Sequence, residues 1–116
     1  MGAQAVLLDY KATAQLTFDA GDGLFVRILR NKPDAALMYF ARVDTDGSRT
    51  RVNIPPEYSL FEAERFGGWA AFAAFGKEWV IKPSARYILK KSGENVLYLH
   101  PVRKQSVETQ MQLVDE

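Results

Sequence analysis

Apolar and polar residues alternate most cleanly near the start of the chain. Ala12, Ala14, Leu16 and Phe18 interleave with Thr13, Gln15, Thr17 and Asp19, a period of two across eight residues. Gly21-Asp22-Gly23 follows, and then Leu24, Val26 and Ile28 alternate around Phe25, Arg27 and Leu29. The pattern predicts a hairpin. A three-residue loop at 21–23 sets Phe18 opposite Val26 and Leu16 opposite Ile28, whereas a two-residue loop would set Leu16 or Phe18 against Arg27. Burial favours the three-residue loop, with Gly23 in the left-handed region.

A second hairpin is expected at Asp46-Gly47, a strong turn signal. A two-residue loop there pairs Val43 with Thr50, Ala41 with Val52 and Tyr39 with Ile54. It also sets Arg42 opposite Arg51, a like-charge pair that destabilises the strands unless something negative sits between them, for which Asp44 on the diagonal is the plain answer.

Residues 55–76 have a different texture. Pro55-Pro56 stand first, Glu57, Glu62 and Glu64 follow, and Gly67-Gly68 close the run, which is the punctuation of a short helix. Trp69, Phe72 and Phe75, three apart on alanine, share one helical face. The pattern predicts a helical segment over about 56–75, its rings covering one face of a sheet. A hairpin across Gly67-Gly68 is the rival reading, and a partner-binding groove is the rival use of the rings. Beyond it, strands are expected at 78–82, 85–91 and 95–102. The polar tail 103–116 is expected to fray, or to form at most a marginal helix over Val107, Met111 and Val114. The fold class that results is α+β: a mainly antiparallel, hairpin-built sheet of six or seven strands with one short helical segment packed on one face. All of it fits a single domain spanning 1–116.

Composition narrows function by exclusion. There are no cysteines, so disulfides, thiol nucleophiles and thiolate metal sites are out. His100 is the one histidine, which leaves a catalytic triad or a histidine-based metal site without partners. Asp44-x-Asp46-Gly47 lacks the later ligands of a calcium loop, and Gly21-x-Gly23 lacks the third glycine of a dinucleotide fingerprint. No catalytic, cofactor or metal residues are assigned, and the chain is expected to be non-enzymatic. The start has no basic leader, and the run Ala5–Leu8 is too short for a signal peptide or a membrane span, so a cytoplasmic location away from membranes is expected.

Net charge is +1, but its distribution is uneven. Residues 1–60 carry seven basic and seven acidic side chains, while 77–104 carry seven basic and two acidic, an excess of five. The last hairpin decides what that excess does. With a three-residue loop at Ser92–Glu94, Tyr87, Leu89, Leu97 and Leu99 share one face; Arg86, Ile88, Lys90, Val96, Tyr98 and His100 take the other. With a two-residue loop, Tyr87 and Tyr98 pair and the mixed face is lost. Cations interleaved with rings on a sheet are suited to single-stranded nucleic acid, bases stacking while phosphates pair. The expected contacts are Arg86, Lys90, Tyr98, His100 and Lys82, with Arg42 and Arg51 from the earlier hairpin. A protein-interaction module (inhibitor, adaptor or assembly subunit) is the alternative.

Overall fold

A computed structural model describes residues 4–8 and 15–102. Ten strands run through them: β1 Gln4–Leu8, β2 Gln15–Gly21, β3 Leu24–Lys32, β4 Ala35–Val43, β5 Arg49–Val52, β6 Tyr58–Ala63, β7 Trp69–Phe72, β8 Glu78–Ile81, β9 Tyr87–Lys91 and β10 Glu94–Pro101. They form two sheets. Sheet A has the order β1-β10-β9-β6-β7; sheet B has β2-β3-β4-β5, with β8 also paired to β4. All pairings are antiparallel except that of β1 with β10.

Among the described residues there is no helix, so the α+β expectation is corrected to a β-rich, two-sheet fold. The predicted helical segment 56–75 is instead the β6–β7 hairpin. Its turn is closed by Glu64 N–H to Gly68 C=O at 2.6 Å and Gly67 N–H to Glu64 C=O at 3.3 Å, with Gly67 at φ +93°. Local helix propensity in the alanine run is outweighed by tertiary pairing: β6 bonds to β9 on one side and β7 on the other. The rings accordingly do not share a face. Tyr58 is buried and Phe72 packs against the core, but Phe66, Phe75 and Trp69 are 94%, 75% and 42% exposed.

The core lies between the sheets. Sheet B supplies Val26, Ile28, Met38, Phe40, Trp79 and Ile81; sheet A supplies Tyr58, Leu60, Tyr87, Leu89, Leu97 and Leu99. Phe40 is at the centre, its ring 4.7 Å from that of Tyr58 and 6.1 Å from that of Trp79. Period-two alternation puts these side chains inward and leaves their neighbours on two outer faces. Tyr87 keeps its hydroxyl satisfied by accepting the Lys82 N–H at 2.7 Å. Burial pushes its phenol above the usual range, and that of Tyr58 as well.

Register in the first hairpin is as burial demands: Phe18 faces Val26 and Leu16 faces Ile28. The turn that achieves it is different. Asp22-Gly23 forms a two-residue loop with both φ positive (57° and 75°), and a bulge between Asp19 and Gly21 absorbs the extra residue. In the second hairpin the expected register is corrected by one. Val43 pairs with Arg49 and Arg42 with Thr50, so no arginine faces another. The cause is side-chain chemistry: Asp46 accepts both the N–H and the hydroxyl of Ser48, at 2.9 and 2.7 Å, and leaves Gly47 alone in the left-handed region.

One connection is unusual. β5 pairs with Phe40–Val43 of β4, and β8 pairs with Ala36–Tyr39 along the same edge. Between them the chain crosses to sheet A, forms β6 and β7, and returns. The neck of this excursion is pinned by Ile54 N–H to Gly76 C=O at 2.9 Å. The expected tail 103–116, with its marginal helix, lies outside the described residues.

Candidate nucleic-acid interface

The site builds up from the last hairpin. Ser92-Gly93 form a two-residue loop with φ of 50° and 89°, which by itself would give the register that destroys the mixed face. A bulge between Asn95 and Leu97 shifts the pairing back, so Tyr98 faces Ile88, Leu99 faces Tyr87 and Leu97 faces Leu89. Val96 is the extra residue and packs against the core rather than joining the outer face. Two residues of loop plus one of bulge give the parity expected of a three-residue loop.

Parity therefore brings Arg86, Lys90, Tyr98 and His100 together on the outer side of sheet A, around the buried Ile88. Pairing with β6 and β7 adds residues from the segment whose sequence pattern predicts a helix. Phe61 lies opposite Ile88, and Trp69 lies opposite Ala63 on the same face. The Lys90 ammonium stands 4.9 Å from the Phe61 centroid, and the Arg86 guanidinium 6.0 Å from that of Trp69. On β10 the Tyr98 and His100 rings are near parallel, 12° apart in plane with centroids separated by 6.3 Å. The Asn95 amide donates to the Tyr98 hydroxyl. The signal that could have found Phe61 and Trp69 is again parity, since both fall on outward positions once 58–72 is read as strand.

The other three expected contacts lie elsewhere. Arg51 is on the outer face of sheet B, on the far side of the sandwich. Its guanidinium is 4.4 Å from the Tyr39 ring centroid and it is ion-paired with Glu78. Arg27 approaches the same ring at 5.8 Å and donates to the Tyr39 hydroxyl at 3.2 Å. Arg42 is exposed at the end of β4, donating to the Asp22 carbonyl at 3.4 Å. Lys82 is exposed in the crossover between the sheets, four residues before Arg86. Arg42 and Arg51, on sheet B, are thus separated from the sheet A face.

Among the described residues no three of His, Cys, Asp and Glu gather as a metal site would require, and no helix is long and apolar enough to cross a membrane. No protein-family model, no curated protein and no solved structure matches the chain.

Proposed function

We propose that this chain is a non-catalytic binding module that takes single-stranded nucleic acid on the outer face of sheet A and acts in the cytoplasm. The observation that carries the reading is the gathering of Arg86, Lys90, Tyr98 and His100 with Phe61 and Trp69 on one sheet surface. Flat rings spaced along neighbouring strands offer stacking platforms for successive bases, and the two cations between them can reach phosphates. Because phosphate contacts are few and net charge is only +1, binding is modest and depends on the rings as much as on the charges.

Fluorescence anisotropy with a labelled mixed-sequence single strand at low salt tests it. Affinity falls as salt rises, each neutralised phosphate contributing about 0.7 to the logarithmic slope. Reversing Arg86 and Lys90 to glutamate weakens all sequences alike and flattens that slope. Tyr98→Ala loses roughly 1–3 kcal/mol with the slope kept. Arg51→Glu, on the opposite sheet, leaves binding unchanged. A flat trace up to high micromolar protein defeats the reading and leaves a protein partner as the alternative.

A further inference from the structure

Strand β7 ends sheet A, and among the described residues it has no neighbour beyond β6. Such an edge presents free main-chain groups, and charge, proline or a cover usually blunts it. None of these is on β7. From Trp69 to Gly76 the chain reads Trp-Ala-Ala-Phe-Ala-Ala-Phe-Gly, with no charged residue and no proline. The edges of sheet B differ: β2 carries Asp19, β5 carries Arg49 and Arg51, and β8 carries Glu78. β1 is also uncharged, but its Val6, Leu7 and Leu8 are half-buried or buried, whereas Trp69, Ala70 and Ala71 are all exposed.

We infer that β7 pairs antiparallel with β7 of a second copy of this chain, joining two A sheets into one. The register follows from the hydrogen-bond alternation. Glu64 and Gly68 bond across the β6–β7 turn, so Ala70 and Phe72 also turn their main-chain groups toward β6. Trp69 and Ala71 turn theirs outward. Pairing Trp69 with Ala71 of the copy, and Ala71 with Trp69, satisfies both sets with four hydrogen bonds and sets Ala70 against Ala70 on the two-fold axis.

That register is complementary in size, which selects a second copy over an arbitrary strand. Trp69 lies over an alanine, and Phe72 lies over Gly68 of the copy, against which the Glu64 side chain of that copy is folded. Nowhere does a large side chain face a large one, or a charge face a like charge. Beyond the two ends of the strand stand Phe66, in the β6–β7 turn, and Phe75, in the segment after β7. These are the two most exposed large apolar side chains described, at 94% and 75%. A four-residue seam belongs with small interfaces, so the dimer is a weak one.

Light scattering and sedimentation equilibrium on the full chain, from micromolar to submillimolar concentration, read the mass against the 13.1 kDa monomer. The expected result is a concentration-dependent rise toward twice that mass. Deuterium exchange should show the Trp69 and Ala71 amides slowing with concentration while those of Ala70 and Phe72 do not change. Ala71→Pro deletes an outward N–H and keeps the β6 ladder, so it holds the mass at the monomer value with the thermal melt preserved. Ala70→Lys and Ala70→Glu are each monomeric, and mixing them restores a dimer. A wild-type chain that stays monomeric overturns the inference. So does a dimer indifferent to Ala71→Pro, or lysine and glutamate variants that fail to combine. Oligonucleotide binding by the Ala70→Lys chain is read separately, so failure of the seam is distinguishable from failure of the face.

Discussion

Phe40→Ala offers the sharpest test of where the core lies. Phe40 has no exposed surface and touches the rings of Tyr58 from sheet A and Trp79 from sheet B. A buried phenylalanine removes about 200 Å² from water, worth about 5 kcal/mol at roughly 25 cal/mol per Å². Alanine retains part of that, while the cavity left between two rings that cannot both collapse adds to the loss. The expected destabilisation is about 3–5 kcal/mol. Phe18, on the edge strand β2, is the counterpart. It is half-buried and lines a cleft of about 170 Å³ that already separates the sheets there, so little packing is lost. Phe18→Ala should cost on the order of 1–2 kcal/mol, less than burial on a paired face would suggest from sequence. Urea unfolding followed by far-ultraviolet circular dichroism gives both values, with equal slopes showing that the unfolded states are comparable. Equal losses at the two positions, or a greater loss at Phe18, would refute the placement of the core between Phe40, Tyr58 and Trp79.

Gly93→Ala forces a side chain into φ of 89° although nothing crowds its Cβ, so backbone strain alone should cost about 1–2 kcal/mol in a thermal melt. Tyr58 and Tyr87 have phenols raised by burial, so the unfolded chain sheds these protons first. Their contribution is full below about pH 10 and is lost as pH climbs through the folded values. Stability measured against pH should decline above about 10, with these two phenolates appearing late in absorbance. Removing the Arg51–Glu78 pair by Glu78→Gln should cost under about 1 kcal/mol and less in high salt, since both side chains are more than a third exposed. A loss of several kcal/mol would mean the pair is shielded from solvent.

Face parity was legible in the chain wherever one side of a strand had to be buried. Leu16 and Phe18 against Val26 and Ile28 follow from burial of one face, whereas Leu97 and Leu99 against Leu89 and Tyr87 were one of two parities that the loop at Ser92 left open, and the bulge between Asn95 and Leu97 decides it. Turn chemistry was less legible, because a two-residue loop with a bulge and a three-residue loop count alike. Asp46-Gly47 misled for a related reason: the hydroxyl of Ser48 decides which turn Asp46 serves, and that bond is not part of a dipeptide signal. The helix assigned to 56–75 failed because rings three apart fit a helical face as well as alternate sides of a strand. The deciding partner of β6 is β9, far along the chain. With the helix preferred over the rival hairpin across Gly67-Gly68, Phe61 and Trp69 are absent from the expected face, although Arg86, Lys90, Tyr98 and His100 are on it. β1 gave only five residues of signal, and its parallel partner β10 is at the other end of the described chain.

The excursion from β5 to β8 works as a stitch. Its thread leaves the edge of β4 at Val52, passes into the other layer, and returns at Glu78 to close the same edge. Neither layer can peel off while the other holds: lifting β6 and β7 out of sheet A pulls on both halves of the β4 edge, through a neck fastened at Ile54 and Gly76. The two sheets should therefore open in one cooperative step. Amides of Ala36–Tyr39 and of Leu60–Phe61, in different layers, would then exchange with the same free energy of opening.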